Sequence, residues 1–375
     1  MDVCFVGDDA HPPWNHAGSI LTKRLIECLA PSVNCTLFTV TSSEEAGHLK
    51  TSWSTIATRP SGTRVVDAAK LGILTKRSSA DIIHVVGTNA IVFSPVCKLL
   101  GAQGEIVRQI FTPYDTKDRI VRPVRWLINR LFVGAYAFTT PWIGRWSRNL
   151  GSGMPRFLIR PPIDCELYRP TSRQDDSHGN GSHEYSLLYM GPLWPSRFPA
   201  RNVLGALRQL LATGFDAELR ILTSARSSVT LCEEVATLSK HLDLEKNLIL
   251  QRKDLSEVER VKAYNAADVT IFPYVGPEPE QLADPPFGIL ESMACGRIVV
   301  STCVLSVPEI VKDESTGFLT RSASQDDVYN GVVRALTHPD RSAVSFRARE
   351  MMVEKFSYPV VRHHLLETYE SVLAR

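Results

Sequence analysis

The sequence predicts an α/β protein of two domains, each built around a mostly parallel β-sheet. Short apolar runs alternate with longer segments of helical periodicity, a pattern typical of strand–helix–strand units. The alternation stops at a polar stretch, residues 171–184, and then begins again. The length of 375 residues also exceeds what one ordinary hydrophobic core supports.

The first domain is predicted over residues 1–170. Its first strand, Val3–Val6, is apolar throughout, as expected for a strand buried inside a parallel sheet. The next segment, Ser19–Leu29, has apolar residues at helical spacing and is predicted to form a helix. The further strands of this domain are predicted at Cys35–Val40, Asp81–Val86, Ile106–Phe111, Ala137–Thr140 and Phe157–Ile159.

Residues 171–184 contain no aliphatic side chain, so they cannot bury enough surface to order themselves and are predicted to link the domains. The second domain, 185–352, repeats the alternation. Its predicted strands are Ser186–Met190, Glu218–Thr223, Asn247–Gln251, Val269–Phe272 and Ile298–Ser301. Its predicted helices are Arg201–Ala212, Cys232–His241, Ser256–Ala266 and Pro286–Cys295.

The last segment, 353–375, is predicted to hold a C-terminal helix that packs back on the first domain. The helix follows Ser357-Tyr358-Pro359, and its apolar residues fall on one face. These are Val361, Leu365, Tyr369 and Val372.

The composition indicates a soluble globular protein, with 44% hydrophobic and 22% charged residues. The eight cysteines are scattered without a C-x-x-C pair, which argues against a zinc site or a disulfide scaffold. Cys4, Cys295 and Cys303 lie in apolar runs and are predicted to be buried thiols. The sequence has neither an apolar stretch of about 18 residues nor a basic flank at Met1, so a cytoplasmic location is expected.

The positive charge is concentrated in the first half. Residues 1–170 carry 20 Lys and Arg against 13 Asp and Glu, which suggests that this half meets an anionic partner. Much of the excess lies in 117–132, where Pro123 suits a helix start. The predicted core stripe is Val124, Leu127, Ile128 and Leu131, and the predicted outer face is Arg122, Arg125 and Asn129.

This basic helix, with Trp126 beside it, is predicted either to rest on an anionic membrane surface or to be an ordinary solvated face. The first alternative would make the protein peripheral on the inner membrane face. Nucleic acid is not an expected partner, because no nucleic-acid-binding motif accompanies the charge.

The segment Ala283–Gly296 is the richest candidate for a binding site, because ligands of open α/β sheets bind beyond the carboxyl ends of the strands. Asp284 is a predicted helix N-cap, two prolines suit the first turn, and Gly296 is a predicted helix stop. The first turn would direct free N–H groups towards a phosphate. Glu291, two turns further in, either accepts hydrogen bonds from ribose hydroxyls or belongs to a solvated face or structural ion pair.

Two other turns are candidates for phosphate contacts. The turn after the first strand ends at Gly18, where the backbone could approach a phosphate, although a plain loop explains it equally well and G-x-G-x-x-G is absent. The second domain opens with Gly191, followed by Arg197 and Arg201. These two arginines could clamp a diphosphate or simply be solvated.

Five segments, in this order, resemble the retaining glycosyltransferases of group 1, also called family 4. They are the turn after the first strand, Arg160–Pro170, Tyr264–Pro273, Phe287–Gly296, and Val307–Val311 with Gly317–Leu319. The resemblance covers nearly the whole chain. It implies the GT-B architecture, in which two facing Rossmann-like domains hold the donor in the cleft between them.

The resemblance also implies roles for individual residues. Glu291 would bind the nucleotide ribose, and Arg197 would contact the phosphates. Gly18 would cover the diphosphate from the first domain, and Gly191 would lie at the donor site. The backbone beside the diphosphate and donor sugar would be that of Phe287, Gly288, Ile289 and Leu290.

Three positions depart from the family pattern. Pro192 replaces an arginine, Ala283 replaces the first glutamate of a paired motif, and Tyr114 replaces a sugar-contacting histidine. We therefore expect Asp284 to substitute for the missing glutamate and to share catalysis with Arg197, while Arg201 completes a cationic pair. Tyr114 and Asp115 are assigned to the acceptor side.

The predicted reaction is transfer of a sugar from a UDP-, GDP- or ADP-sugar to a hydroxyl of a glycan, glycolipid or small molecule, with retention of configuration, as in polysaccharide biosynthesis. No cofactor is expected, and no metal, because the sequence lacks an Asp-x-Asp pair. One alternative is a non-catalytic GT-B scaffold or partner subunit, which the three departures favour. A sugar-nucleotide epimerase is a further alternative.

Overall fold

A computed structural model describes residues 1–8, 10–11, 14, 16–41, 53–87, 90–112, 121–147, 153–171, 183–276 and 282–375. The side chains of residues 64, 90–91 and 121–125 lie outside this description. The chain divides into two compact units, the first formed by Met1–Pro162 with Lys355–Arg375 and the second by Ile163–Glu354. Most of the predicted linker, 172–182, falls outside the described residues.

The division at residue 162 comes eight residues before the predicted boundary at residue 170. The reason is that 163–171 bonds to the second unit. Arg349 donates to the carbonyl oxygens of Cys165 and Tyr168, and Asn265 donates to that of Arg169 at 3.0 Å. The segment that resembled the end of the first domain therefore begins the second unit.

The described part of the first unit contains a sheet of seven parallel strands. They are β1 Asp2–Asp8, β2 Asn34–Val40, β3 Ser54–Thr58, β4 Ile82–Val86, β5 Glu105–Ile110, β6 Ala135–Phe138 and β7 Arg156–Leu158. Their order, β3-β2-β1-β4-β5-β6-β7, is that of the dinucleotide-binding α/β fold. The strand order reverses between β1 and β4.

The helices of the first unit connect these strands and include the C-terminal helix. They are α1 Ala17–Leu29, α2 Arg64–Ser78, α3 Ala90–Leu99, α4 Val121–Phe132, α5 Pro141–Trp146 and, after the second unit, α13 Tyr358–Leu373. The predicted apolar face of α13 is buried. This helix packs on α1, where the hydroxyl of Tyr358 donates to Glu27 at 2.8 Å and Arg362 donates to the carbonyl oxygen of Cys28.

A buried histidine ties α13 to the sheet. His84 of β4 lies with Nδ1 2.6 Å from the hydroxyl of Tyr369 and with Nε2 3.2 Å from Oε1 of Gln109 on β5. Burial lowers the pKa of His84 to about 4, so the ring is neutral at pH 7. A neutral ring that accepts from Tyr369 at Nδ1 and donates to Gln109 from Nε2 satisfies both contacts.

The second unit repeats the same topology. Its described strands are β8 Tyr185–Met190, β9 Ala217–Thr223, β10 Leu248–Arg252, β11 Val269–Phe272, β12 Ile298–Thr302 and β13 Phe318–Thr320. They form one parallel sheet in the order β10-β9-β8-β11-β12-β13. Its helices are α6 Ala200–Ala212, α7 Val229–His241, α8 Glu257–Ala266, α9 Phe287–Ala294, α10 Val307–Ile310, α11 Gln325–Thr337 and α12 Arg341–Phe356.

The predicted faces of α4 are wrong at three of the residues whose side chains are described, and Arg122, Val124 and Arg125 lie outside that description. Leu127 and Leu131, expected in the core, are 50% and 63% exposed, whereas Asn129, expected outside, is fully buried. The cause is Arg108, a buried residue of β5 whose Nη1 donates to the side-chain oxygen of Asn129 at 2.9 Å. A buried guanidinium needs an acceptor, and this need decides which face of α4 turns inwards. The helix begins at Val121, so Pro123 lies within its first turn.

The cysteines follow the sequence expectation with one exception. All eight are free thiols, and Cys4 and Cys295 are buried, but Cys303 is exposed because it lies just after β12 rather than inside the strand. Among the described residues, no group of three or more His, Cys, Asp or Glu is placed to hold a metal ion. No helix in this part of the chain combines the length and the apolar character needed to cross a bilayer.

Candidate functional site

The point in the second unit where the strand order reverses lies between β8 and β11. Open α/β sheets bind ligands beyond the carboxyl ends of their strands at such a point. The loop after β8 is anchored there: the N–H of Gly191 donates to Leu222 at 3.1 Å, and the N–H of Leu193 donates to the hydroxyl of Ser227 at 3.0 Å. The loop after β11 joins it through the N–H of Val275, which donates to Ser196 at 2.8 Å.

Arg197 is the buried cation of the loop after β8. Its guanidinium carbon lies 4.6 Å from the ring centroid of Trp194, and the residue is only 9% exposed. Burial lowers the pKa of the Arg197 guanidinium, but an arginine side chain is not deprotonated in proteins. Stacking and burial therefore hold a permanent positive charge at the reversal point, and the solvated alternative for Arg197 does not apply.

Arg201 occupies a different environment from Arg197. It lies in the first turn of α6, its side chain is 80% exposed, and its Nε is 3.8 Å from Oε1 of Glu234 on α7. Exposed ion pairs of this kind contribute little to stability. Of the two alternatives given by the sequence, a diphosphate clamp or a solvated side chain, the second therefore fits Arg201.

The predicted cap of α9 is wrong. The N-cap residue is Pro286, and Asp284 is 1% exposed with its Oδ1 accepting from the N–H of Ser306 at 3.0 Å and from the Ser306 hydroxyl. Two prolines separate Asp284 from the helix, and its carboxylate is directed to the start of α10 instead. Asp284 therefore holds two loops of the sheet end together.

The N-terminus of α9 approaches the end of β8 closely, because Gly288 has no side chain. A Cβ atom at this position would lie 2.8 Å from the ring of Phe272 and 3.4 Å from the carbonyl oxygen of Met190. The side chains of Phe287, Ile289 and Leu290 are buried. The N–H groups of Ile289 and Leu290 donate to the carbonyl oxygen of Pro286 at 3.1 and 3.4 Å, so the free N–H groups expected from the sequence are not found at these two residues. The helix stop at Gly296 is confirmed by its φ of +64°.

Glu291 is buried in an ion pair. Its side chain is 4% exposed, and its Oε2 accepts from the hydroxyl of Tyr264 at 3.1 Å and lies 3.9 Å from Nε of Arg260. Burial raises the pKa of Tyr264 well above its ordinary value, and the charge of Glu291 raises it further, so Tyr264 remains a donor. The structural ion pair considered from the sequence is therefore present.

The remaining predicted residues lie in the first unit. Gly18 is in the first turn of α1, where an added Cβ would lie 3.5 Å from the ring of Phe111, an ordinary contact. Close packing therefore does not require glycine there. Tyr114 and Asp115 fall outside the described residues.

The sequence interpretation missed three residues around Glu291: Tyr168, Arg260 and Tyr264. Arg260 and Tyr264 are four residues apart on α8 and so share a helix face, which is a readable signal. Their pairing with Glu291, 27 residues beyond Tyr264, is a tertiary contact that periodicity does not show.

The second unit also matches a known family of sequences. Residues 184–338 match the family model described as glycosyl transferases group 1. At the level of structure, the chain superposes on HepE of Anabaena in complex with UDP-glucose with a TM-score of 0.80, covering 99% of this chain and 100% of that one at 16% identity. The fold is GT-B.

Two curated relatives align with part of this GT-B chain. Alpha-maltose-1-phosphate synthase of Mycolicibacterium smegmatis is 27% identical over 169 residues, which cover 42% of each protein. D-inositol 3-phosphate glycosyltransferase of Saccharomonospora viridis is 26% identical over 232 residues, covering 58% of this chain and 50% of the relative. The chain thus spans about half the length of the curated relatives that it matches.

Proposed function

We propose that this chain is a glycosyltransferase that moves a sugar from a nucleoside-diphosphate sugar to an acceptor hydroxyl. The match of residues 184–338 to group 1 glycosyl transferases supports the reaction class. The alignment with two named sugar-transferring or sugar-phosphate-forming relatives supports it further. Retention of configuration, and a glycan or lipid-linked acceptor, belong to the proposal through the family resemblance.

The observation that carries the proposal is the close approach of Gly288, at the start of α9, to the carbonyl oxygen of Met190 at the end of β8, where the strand order of the second sheet reverses. Gly288 lets the N-terminus of α9, which is the positive end of the helix dipole, approach the end of β8. The buried cation of Arg197 lies in the loop after β8. A diphosphate is the ligand that such a combination of a buried cation and a helix dipole suits.

In the proposed mechanism, negative charge develops on the diphosphate as the sugar leaves. Arg197 is fixed on Trp194, so it stabilises this charge without reorganising, and the positive end of the α9 dipole adds to the stabilisation. These groups supply the charge stabilisation without a metal ion. Asp284 contributes by holding the loop before α9 against Ser306.

A second candidate is a non-catalytic GT-B scaffold or partner subunit. Its support is that both carboxylates expected to act on substrate have protein partners, Glu291 with Tyr264 and Arg260, and Asp284 with Ser306. The two candidates differ in nucleotide binding. A scaffold with a degenerate site has no need to bind a donor.

We further propose that α4 contacts an anionic membrane surface and thereby brings the enzyme to a lipid-linked acceptor. Leu127 and Leu131 lie one turn apart and are exposed, and Arg130, exposed beside them, stacks on Trp126 at 5.4 Å. An apolar ridge flanked by a cation suits the interface of an anionic bilayer.

The deciding measurement is thermal stabilisation by UDP, GDP, ADP and their common sugar conjugates. We expect one nucleotide to stabilise the protein selectively, and Glu291→Ala and Glu291→Gln to weaken its binding about tenfold or more, since a hydrogen bond to a charged group contributes about 1.5–3 kcal/mol. Glu245→Ala, at an exposed site in the same unit, should leave binding unchanged. No stabilisation by any nucleotide would favour the scaffold.

A further inference from the structure

The carboxylate of Glu291 is held on one side by two residues of α8. Tyr264 donates its O–H to Oε2 at 3.1 Å, and Nε of Arg260 lies 3.9 Å from the same oxygen. Both residues lie on one face of α8, which packs against α9. One oxygen of the carboxylate is thus oriented by a hydrogen bond and by an opposite charge in surroundings of low dielectric.

Arg260 is itself oriented by two neighbours. Its Nη2 donates to the hydroxyl oxygen of Tyr168 at 3.1 Å and lies 3.4 Å from Oε1 of Glu257. Tyr168 is fully buried, its N–H donates to Asp164 at 2.8 Å, and its carbonyl oxygen accepts from Arg349. A fixed tyrosine therefore sets the direction of the guanidinium that faces Glu291.

The same arginine that fixes Tyr168 also fixes α9. Arg349 of α12 donates to the carbonyl oxygen of Ala294, the last residue of α9, as well as to those of Cys165 and Tyr168. A cation at a helix C-terminus is favourable for the helix dipole. Arg349 thus anchors both α9, which carries Glu291, and Tyr168, which orients Arg260.

On the basis of the proposed function, we infer that Arg260 and Tyr264 are positioning residues that present Glu291 to the ribose hydroxyls of the nucleotide, and that Tyr168 orients Arg260. The network makes the site selective for ribose, because an oriented buried carboxylate gains hydrogen bonds from vicinal hydroxyls that a dideoxyribose does not offer. A carboxylate left to rotate accepts the same hydroxyls with poorer geometry and discriminates less.

The test is isothermal titration of wild type and variants with UDP, GDP and ADP and with their 2′,3′-dideoxy counterparts. Tyr264→Phe and Arg260→Met should weaken binding of the ribonucleotide that the wild type prefers by about tenfold, and binding of its dideoxy counterpart by less than about twofold. Tyr168→Phe should act in the same direction with a smaller effect. Arg260→Lys should restore part of the loss, because it keeps the charge without the planar fork.

Tyr369→Phe is the matched control, since it also removes one buried tyrosine hydroxyl but in the first unit, where that hydroxyl bonds to His84. This variant should change the affinity for neither the ribonucleotide nor its dideoxy counterpart. Thermal melting of each variant shows separately whether it folds. If Arg260→Met does not fold, Tyr168→Phe carries the test, because it removes a single oxygen.

Equal loss of affinity for the two nucleotides in Tyr264→Phe would overturn the inference, since the residue would then support the site only generally. Unchanged affinity for both would overturn it as well. If the wild type binds ribo- and dideoxynucleotides with equal affinity, Glu291 does not bind the ribose hydroxyls, although the donor site still binds the nucleotide. A wild type that binds neither would overturn the proposed function itself.

Discussion

Three buried polar side chains, Arg197, Glu291 and His84, have neighbours of defined geometry. Arg197 stacks on Trp194, Glu291 faces Tyr264 and Arg260, and His84 lies between Tyr369 and Gln109. Each partner offsets part of the cost of removing a polar or charged group from water. The pairings at Arg197 and Glu291 build the candidate site, whereas the one at His84 stabilises the first unit.

His84 predicts a pH dependence of stability. Its folded pKa is about 4 against 6.5 for an unperturbed histidine, so below pH 6.5 the unfolded chain takes up a proton that the folded chain refuses. The contribution to stability is complete above pH 6.5 and decreases as the pH falls towards 4. Urea unfolding should show a loss on the order of 2–3 kcal/mol between pH 7.5 and 4.5 from this group.

Two variants separate this effect from other titrations. His84→Asn should lower stability at pH 7.5 and remove this part of the pH dependence. His363→Gln, on the exposed side of the same α13, should leave it intact. An unchanged pH dependence in His84→Asn would assign the acid sensitivity to other groups.

At the scale of elements, α4 shows that amphipathic spacing alone does not choose the buried face. The helix has aliphatic side chains at helical spacing, yet Asn129 faces the core because Arg108 requires an acceptor there. The exposed leucines that result form the surface proposed to meet a membrane.

The membrane proposal predicts binding of the protein to vesicles that contain phosphatidylglycerol. Replacing Leu127 and Leu131 together by serine should weaken this binding about tenfold or more, since burial of one leucine contributes about 1.5–3 kcal/mol. The measurement is co-sedimentation with anionic and with neutral vesicles. The matched control replaces Val229 and Phe346, two exposed apolar residues of the second unit, by serine. Equal binding by the leucine variant and this control would exclude α4 as the contact.

At the scale of the whole molecule, the two units share a strand order but differ in which segments of the chain belong to them. The last helix of the first unit, α13, belongs to the C-terminal end of the chain, which follows the second unit in sequence. The second unit begins with 163–171, which Arg349 and Asn265 fasten to it.

Deletion of Tyr358–Arg375 should destabilise the first unit selectively. It removes the buried side chains of α13, including Tyr369 with its hydrogen bond to His84, and it uncovers α1. Each lost apolar side chain removes about 1.5–3 kcal/mol, so the sum is comparable to the stability of a domain. Hydrogen exchange should show loss of amide protection in α1 and β4 and continued protection in β8 and β11. Equal loss of protection in both units would contradict the division described here.

Sequence periodicity was sufficient for the α/β class, for most strands and for the face of α13, because these depend on local alternation of apolar and polar residues. Motif order assigned α9, the loop after β8 and Glu291 to one candidate donor site, and this assignment stays a prediction. Local pattern also placed Asp284 next to α9, where its chemistry suggested a cap.

Only the tertiary structure decided what each polar side chain bonds to. Asp284 turns to Ser306, Glu291 to Arg260 and Tyr264, and Asn129 to Arg108, although the partners are 20 or more residues apart in sequence. Such pairings are selected by the cost of leaving a buried polar group without a partner, which depends on how elements pack rather than on spacing along the chain. The same cost fastens 163–171 to the second unit through Arg349 and Asn265.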